Sequence, residues 1–419
     1  MSKLKELIDR LCLNGVVYKP LGKIASIPTE RVNIKHLPNN LYIGVENLIK
    51  DKGGMIPAAE LPVVNDVIKF KTDDILIGNI RPYLKKIWLA DKDGGTNGDV
   101  VLLRINNDIP ITPKFLYYIV SSDSFFFFHN QYAKGAKMPR GDKMKIMTFP
   151  IPVPPLEVQE EVVKILDRFS NYAAELQAEL QARKEQYEYY RNLLLTFNPS
   201  ACGCGTDDEQ EIKNVTIWGG HNYEITWKTM GEIANFKYGF TAKGCENGNA
   251  RYIRITDISE LGSLLPSDKK YIILDEESVD YLLNKNDIVM ARTGATFGKT
   301  LIYEDDSPAV YASFLIKITF NDSNILNRYY WHYSKSKHYW RQANQLVSKG
   351  GQPQFNANSL SQVIIPIPPL ELQEKIVAIL DRFETLVNDL TQGLPAEIAA
   401  VKEQYEYYRN KLLTFKQLA

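Results

Sequence analysis

The chain has 419 residues, and its 50 lysines and arginines balance 50 aspartates and glutamates, so its formal net charge at pH 7 is zero. A content of 44% hydrophobic and 24% charged residues is typical of a globular protein, and the length allows two or three domains. Residues 1–13 alternate charges with Leu and Ile, and no uncharged apolar run approaches the roughly 18 residues that span a bilayer. We therefore expect a cytoplasmic protein without a membrane segment. Neutral charge alone argues against an acidic polymer as partner.

Residues 1–150 are predicted to form a first α+β domain. Short apolar runs bounded by Gly, Asp and Asn indicate strands, as at residues 74–80 and 100–105. Residues 113–121 indicate a helix, and it is the one helix predicted for this domain. A mixed domain of about 140 residues fits this pattern.

Residues 151–198 are predicted to form one long helix that follows a proline run. Apolar side chains recur at alternating steps of four and three residues, which is the spacing of a coiled-coil seam. Only Arg183 interrupts them. At about 1.5 Å per residue, residues 156–197 make a rod of roughly 60 Å. The predicted seam is Val162, Leu166, Phe169, Ala173, Leu176, Leu180, Tyr187, Tyr190 and Leu194.

Residues 199–214 are predicted to be an acidic, turn-rich linker, and residues 215–364 a second α+β domain. Runs at 271–274 and 314–318 indicate strands in this domain, and residues 326–334 indicate its one helix.

Residues 365–419 repeat the first long helix. The motif Pro-x-Pro-Pro-Leu-Glu-x-Gln-Glu at residues 152–160 returns at 366–374, and residues 184–197 match 402–415 with Leu193 against Lys411 as the only difference. The chain is therefore a tandem duplication. The second helix is four residues longer, which is a stutter, and Gly393 and Pro395 predict a break at that point. The predicted seam of this copy is Ile376, Leu380, Phe383, Val387, Leu390, Leu394, Ile398, Val401, Tyr405, Tyr408 and Leu412.

The zero net charge is a sum over unlike parts of the chain. Between Asp322 and Glu371 there is no acidic residue, and the same stretch holds five cations interleaved with Tyr and Trp. Residues 124–156 of the first copy hold five cations against one acid, Asp142. The first long helix is acidic. Two basic tracts at matching places in two duplicated domains indicate contact with the phosphates of a nucleic acid, although a solvated basic face is the simpler alternative for either tract alone.

Signals of catalysis are weak. Gly294-Ala-Thr-Phe-Gly298-Lys299-Thr300 follows an apparent strand, but a P-loop needs four residues between its glycines and here there are three. His332 and His338 lie among aromatic residues and favour a packed or phosphate-facing role over a metal site. The pair Cys202 and Cys204 lacks the spacing of a zinc site. We predict a non-catalytic chain with no metal and no cofactor of its own.

The paired motifs at 152–160 and 366–374, with Gln-Tyr-Glu-Tyr-Tyr-Arg at 186–191 and 404–409, resemble the specificity subunit of a type I restriction-modification system. The resemblance implies two tandem α+β target-recognition domains, separated by two long conserved helices that form an antiparallel coiled coil. Each domain then reads one half of a split, asymmetric site in double-stranded DNA. The resemblance also implies two methyltransferase subunits with S-adenosylmethionine, and a restriction subunit, an endonuclease and translocase, with ATP and Mg²⁺.

A rigid coiled coil fixes the distance between two DNA-reading domains. Its length therefore determines the number of base pairs between the two half-sites. Ala-Glu-Leu-Gln at residues 174–177 is repeated directly at 178–181, and four residues add about 6 Å of helix, on the order of one to two base-pair rises. We hypothesise that the number of these units sets the spacer, and the alternative is a chance low-complexity helix.

Two other classes of protein stay open. A coiled-coil assembly scaffold without DNA contact explains the rods but not the basic tracts, and a nucleotide-hydrolysing enzyme needs Lys299 to bind phosphate. The residues predicted to face DNA are Arg81, Tyr83, Lys85, Lys134, Lys137 and Arg140 in the first domain, and Arg292, Thr296, Lys299, Lys349, Gln352 and Gln354 in the second.

Overall fold

The computed structural model describes residues 2–37, 41–197, 213–217, 221–259, 261–348, 351–389 and 391–418. It divides into two compact units: unit 1 comprises residues 1–175 with residues 398–419, and unit 2 comprises residues 176–397. Almost all of the predicted linker, with Cys202 and Cys204, lies outside the described residues, and so do the predicted site residue Lys349 and the predicted seam residue Leu390.

Both units mix helices and strands. The helices are α1 (Ser2–Leu11), α2 (Leu21–Ile24), α3 (Pro113–Val120), α4 (Asp123–Gln131), α5 (Lys143–Ile146), α6 (Leu156–Leu195), α7 (Met230–Ile233), α8 (Asn327–Tyr333), α9 (Lys337–Leu346), α10 (Ala357–Ser361), α11 (Leu370–Asn388) and α12 (Leu394–Leu412). The strands before α6 are β1 (Val17–Pro20), β2 (Ala25–Ser26), β3 (Arg31–Asn33), β4 (Tyr42–Ile43), β5 (Asp66–Phe70), β6 (Ile75–Gly78), β7 (Ile87–Leu89), β8 (Gly94–Thr96), β9 (Val100–Ile105) and β10 (Pro150–Val153). The strands after α6 are β11 (Lys213–Ile217), β12 (His221–Thr229), β13 (Ala234–Tyr238), β14 (Ala250–Ile253), β15 (Tyr271–Ile272), β16 (Ile288–Ala291), β17 (Thr300–Ile302), β18 (Ala309–Tyr311), β19 (Leu315–Phe320) and β20 (Ile364–Ile367).

The central sheet of each unit has the same order. In unit 1 it runs β2-β9-β6-β7 and in unit 2 β13-β19-β16-β17, with antiparallel pairs throughout. Beside these lie β3-β5-β8-β4 in unit 1 and β15-β14-β18 in unit 2, each with one parallel pair. The two-stranded sheet β1-β10 of unit 1 corresponds to the pair β12-β20 of unit 2. The strands β6 and β16 are completely buried, which fits their unbroken apolar sequences.

Each of the two predicted α+β domains contains more helices than the sequence indicated. The prediction of one helix per domain was wrong, because α4 follows α3 and α9 follows α8 after a turn of a few residues. Ser122 and Ser336 cap these helices: their hydroxyl oxygens accept hydrogen bonds from the backbone N–H groups of Phe125 and Tyr339, each at 3.2 Å. The sequence pattern did not indicate α4 and α9, because both segments are rich in clustered aromatic residues.

The repeated proline motif is explained by its buried glutamine. In unit 1 the side-chain oxygen of Gln159 accepts from the backbone N–H of Thr112 at 2.9 Å, and its Nε2 donates to the carbonyl oxygens of Pro110 and Pro154 at 2.8 Å each. In unit 2 Gln373 makes the equivalent three bonds. The glutamine therefore joins the start of a long helix to the loop that enters α3 or α8.

The Leu-Asp-Arg-Phe segments also repeat one contact. Asp167 accepts a hydrogen bond of 2.5 Å from the hydroxyl of Tyr118 and forms an ion pair of 2.6 Å with Lys114. In unit 2 Asp381 lies 2.7 Å from Nε2 of His332 and 2.8 Å from Nε of Arg328. Packing of α3 on α6, and of α8 on α11, thus depends on one carboxylate in each copy.

The predicted seam residues that the structure describes are buried or half-buried. In unit 1 Phe169 stacks on Tyr408, with ring centroids 5.4 Å apart, and in unit 2 Tyr190 stacks on Phe383 at 5.6 Å. A later residue of α6 therefore contacts an earlier residue of the second long helix. This order means that the coiled coil is antiparallel.

The second long helix is divided in two. It stops at Asn388 and resumes at Leu394, with Pro395 in the first turn of α12. A Cβ atom at Gly393 would lie 2.4 Å from the carbonyl oxygen of Thr385, so only glycine fits this return of the chain.

Candidate nucleic-acid interface

In unit 1 two loops that are distant in sequence pair with each other. The backbone N–H of Arg81 donates to the carbonyl oxygen of Pro139 at 2.7 Å, and Gly141 donates to Asn79 at 3.0 Å. Lys134 and Arg140 exchange backbone hydrogen bonds of 2.9 and 2.8 Å. We name residues 79–84 and 134–141 the first loop pair. It extends from the end of β6 and from the segment after α4.

The first loop pair brings together most of the residues predicted for this domain. Arg140 lies at the surface with an ion pair of 3.1 Å to Asp99, and Tyr83 is 52% exposed. Arg81 adopts a left-handed backbone (φ 52°), and its buried Nε has no hydrogen-bond partner among the described residues. Lys134 and Lys137 are exposed on the same turn. These cations stand where a phosphate or a base edge could accept their hydrogen bonds.

Lys85 does not join that surface. Its Nζ donates to Asp123 at 2.8 Å, and Lys52 donates to the same carboxylate at 3.1 Å. Burial opposes ionisation of Asp123, but these two hydrogen bonds outweigh it and lower the pKa of Asp123 to about 2. Lys52 also pairs with Glu406 of α12 at 3.0 Å. Lys85 thus belongs to an ionic cluster next to the coiled coil of unit 1.

Unit 2 repeats the arrangement with residues 292–298 and with residues 348 and 351–355, which together form the second loop pair. Gly294 donates its backbone N–H to Pro353 at 3.0 Å, Phe355 donates to Arg292 at 2.7 Å, and Ser348 donates to Gln354 at 3.1 Å. Each of these bonds corresponds to one in the first loop pair at a shift of 213 or 214 residues. The scaffold is therefore duplicated, while the side chains it presents are not.

The second loop pair presents amides where the first presents cations. Gln352 and Gln354 are exposed, and Thr296 is half-buried with its hydroxyl 3.3 Å from the carbonyl oxygen of Thr293. Arg292 is held in place: its Nε donates to Ser313 at 3.1 Å and its guanidinium lies over Tyr238 and Phe314. Amide side chains pair well with adenine edges and arginine with guanine edges.

Lys299 lies apart from the second loop pair. It lines a cavity of about 210 Å³ in unit 2 whose walls include Tyr187, Arg191, Lys335 and Trp340. The glycine-rich segment does not form a P-loop: a 3-10 turn (Gly294–Thr296) leads into the strand β17, where a P-loop leads into a helix.

The loops rest on buried polar residues that the sequence did not single out. Nε2 of His129 lies 3.2 Å from Oδ1 of Asn79, and burial lowers the pKa of His129 to about 4, so the ring is neutral. A Cβ atom at Gly141 would lie 2.0 Å from Nε2 of His129. Glycine at 141 therefore lets the two loops close over the histidine. The turn Lys134-Gly-Ala-Lys-Met-Pro-Arg-Gly141 was the available signal.

The interpretation of the second basic tract as a phosphate-binding surface needs correction. Arg328 pairs with Asp381 and Glu304, Lys335 lies 3.4 Å from Glu384, and Lys337 lies 3.0 Å from Glu188. Three of its cations are thus engaged by acids, most of them on α6 and α11. His332 is fully buried, and its desolvation lowers its pKa to about 4, so it is a packed residue.

Comparison with known proteins identifies the family of the chain. The family model described as the type I restriction modification DNA specificity domain matches residues 61–186 and 224–400. The chain belongs to the type I restriction-modification DNA specificity family. As in its relatives, it is the non-catalytic component that recognises DNA sequence, which confirms the predicted family and the absence of catalysis by this chain.

Specificity subunits of three named organisms resemble the chain. One assigned in Haemophilus influenzae is 28% identical over 99% of this chain and 100% of the relative. The Escherichia coli EcoR124I/EcoR124II specificity subunit is 34% identical over 64% of this chain and 63% of its own. A solved specificity subunit of Mycoplasma genitalium, 14% identical, superimposes with a TM-score of 0.54 over 95% of this chain and 96% of its own. The last supports the fold of two α+β domains with a coiled coil.

Within the described residues, no cluster of His, Cys, Asp or Glu is arranged to hold a metal ion. Among the described helices, none combines the length and apolar character needed to cross a membrane.

Proposed function

We propose that the first and second loop pairs are the surfaces with which this specificity subunit reads the two halves of a bipartite, asymmetric site in double-stranded DNA. One observation carries the proposal: two units repeat the same loop-on-loop hydrogen bonds yet present different exposed side chains, cations with Tyr83 in unit 1 and amides in unit 2. Equal scaffolds with unequal side chains are suited to reading two unlike half-sites.

The coiled coil supplies the distance between the half-sites in this proposal. The direct repeat at residues 174–181 contains the position where unit 1 ends and unit 2 begins along α6. Of its eight residues, Leu176 and Leu180 are buried and the rest are exposed, so the repeat adds helix length with a single kind of inward side chain. The number of repeat units then sets the spacer.

The remaining partners in this proposal are those that the resemblance implies. Two methyltransferase subunits with S-adenosylmethionine dock on the long helices, and a restriction subunit with ATP and Mg²⁺ completes an assembly in the cytoplasm. In this proposal S-adenosylmethionine, ATP and Mg²⁺ belong to those subunits, as the resemblance implies.

Sequencing methylated DNA from cells that express the chain with its methyltransferase partner tests this function. We expect one motif with two unlike halves and a fixed spacer. Methylation that shows no motif, or that is unchanged when the chain is omitted, contradicts the proposal. A gel-shift assay of the same complex distinguishes it from the alternative of a coiled-coil scaffold without DNA contact, which would leave DNA unshifted.

A further inference from the structure

The repeated hexapeptide Gln-Tyr-Glu-Tyr-Tyr-Arg places one tyrosine on the outside of each copy of the helix. Tyr189 is 63% exposed and Tyr407, its counterpart, is 60% exposed. The other tyrosines of the hexapeptides, Tyr187 with Tyr190 and Tyr405 with Tyr408, lie in the seam and are buried or half-buried. Both copies therefore keep a large aromatic residue at a position where packing within the chain does not require one.

Each exposed ring is supported by the same contact. Tyr189 meets Tyr190 edge to face, with centroids 5.4 Å apart and planes at 75°, and Tyr407 meets Tyr408 at 5.3 Å and 76°. Tyr190 stacks in turn on Phe383, and Tyr408 on Phe169. A ring braced in this way loses little conformational freedom when a partner covers it.

One turn to either side, the same helix face carries further exposed residues. Glu185 and Glu403 precede the tyrosines by four positions, and Leu193 and Lys411 follow them by four. We name residues 185, 189 and 193 the unit 2 stripe, and residues 403, 407 and 411 the unit 1 stripe. A carboxylate beside the ring disfavours a DNA phosphate, and exposed tyrosine is a residue type that anchors protein interfaces.

We propose that the unit 2 stripe and the unit 1 stripe are docking surfaces for two copies of one partner subunit, with Tyr189 and Tyr407 as their anchors. The glutamate and the tyrosine are identical in both stripes, and the surrounding sequences differ only at Leu193 and Lys411. Two such similar stripes fit one protein surface bound twice better than two different partners. This inference rests on the proposed function, in which the methyltransferase subunit is the partner that docks on the helices.

The test mixes the full chain with an excess of the methyltransferase subunit of its own restriction-modification system, and native mass spectrometry counts the bound copies. The variants are Tyr189→Ala, Tyr407→Ala and both together. We expect two copies on the unmodified chain, one on each single variant and none on the double variant, with the affinity at each altered stripe weakened about thirtyfold. Arg168→Ala with Arg382→Ala, at matching exposed positions of the same repeated helices, is the control and keeps two copies.

Two copies bound by the double variant at unchanged affinity, or fewer than two by the unmodified chain, overturn the inference. Circular dichroism melting curves of the variants verify that the helices still form. Gel shifts of the same samples distinguish failure of this inference from failure of the proposed function. If the unmodified complex binds DNA but the tyrosine variants keep two copies, only the inference about the stripes is refuted. If the unmodified complex does not bind DNA, the proposed function is refuted.

Discussion

Nε2 of Gln373 donates a hydrogen bond of 2.6 Å to the carbonyl oxygen of Asn324, and the fully buried glutamine thereby ties the start of α11 to the loop before α8. Its side-chain oxygen accepts from the backbone N–H of Leu326 at 2.9 Å. Because Gln159 makes the same contacts in unit 1, the proline motif is a structural joint, and its repetition reflects the folding of the two domains onto their helices.

Replacing Gln373 by Ala should destabilise the protein. The backbone groups of Asn324, Leu326 and Pro368 would lose their buried partner, and we expect a loss of about 2 to 4 kcal/mol in the free energy of unfolding of unit 2. Urea unfolding followed by circular dichroism measures it. Gln404→Ala, at an exposed position of α12, is the control and should change the unfolding curve by less than about 0.5 kcal/mol. Equal curves for the two variants would contradict the role of Gln373.

The second prediction concerns half-site reading. Gln354→Ala removes an exposed amide from the second loop pair without touching the first, so it should weaken discrimination in one half-site by about 1 to 3 kcal/mol and leave the other half unchanged. Competition gel shifts with DNA altered at single base pairs measure this. Arg140→Ala in the first loop pair is the matched variant and should affect the opposite half-site. If both variants relax the same half, the assignment of one loop pair to each half is wrong.

The long helices and the duplication could be predicted from the sequence, because heptad spacing and repetition are local patterns. The loop pairs could not, since the bond between Arg81 and Pro139 joins residues far apart in the chain. Charge was misleading for the same reason. Arg328 and Lys335 look like part of a basic surface in sequence, but folding places Asp381 and Glu384 beside them. Lys85 and Lys299 were likewise predicted to face DNA because of their positions in loops. In the structure Lys85 pairs with Asp123 of α4, and Lys299 lines the cavity in unit 2.

A third prediction follows from the direct repeat in α6. Deleting residues 178–181 removes about 6 Å of helix and should shorten the spacer of the methylated motif by one or two base pairs, while inserting a third Ala-Glu-Leu-Gln unit should lengthen it by as much. The half-sites themselves should stay the same in both variants. Mapping methylated sites for both variants gives the answer directly. A spacer that is the same in both would refute the role of the repeat.

Acid should weaken unit 2 through His332. Burial lowers its pKa to about 4 from an ordinary value of 6.5. Between pH 6.5 and pH 4 the histidine is therefore protonated in the unfolded chain but neutral in the folded one. Stability is fully present above pH 6.5 and falls as the pH drops toward 4, by about 3 kcal/mol for this group. His332→Tyr copies Tyr118, which holds the equivalent place in unit 1, and should flatten that part of the curve. Thermal melting of both proteins between pH 4 and 7 measures the difference, and parallel curves would exclude His332 as the titrating group.

The last prediction concerns the one difference between the two docking stripes. Leu193 places an apolar side chain next to Tyr189, whereas Lys411 places a cation whose Nζ lies 5.8 Å from the ring centroid of Tyr407. An exposed charge makes association depend on salt, so the methyltransferase subunit should bind the two stripes with unequal affinities whose ratio changes between 50 and 500 mM salt, roughly a threefold change in Debye length. Lys411→Leu makes the stripes alike and should merge the two binding steps in isothermal titration calorimetry, whereas Lys402→Leu, at an exposed position off the stripe, should keep them separate. Two steps that persist with an unchanged affinity ratio in Lys411→Leu would show that the inequality of the sites has another origin.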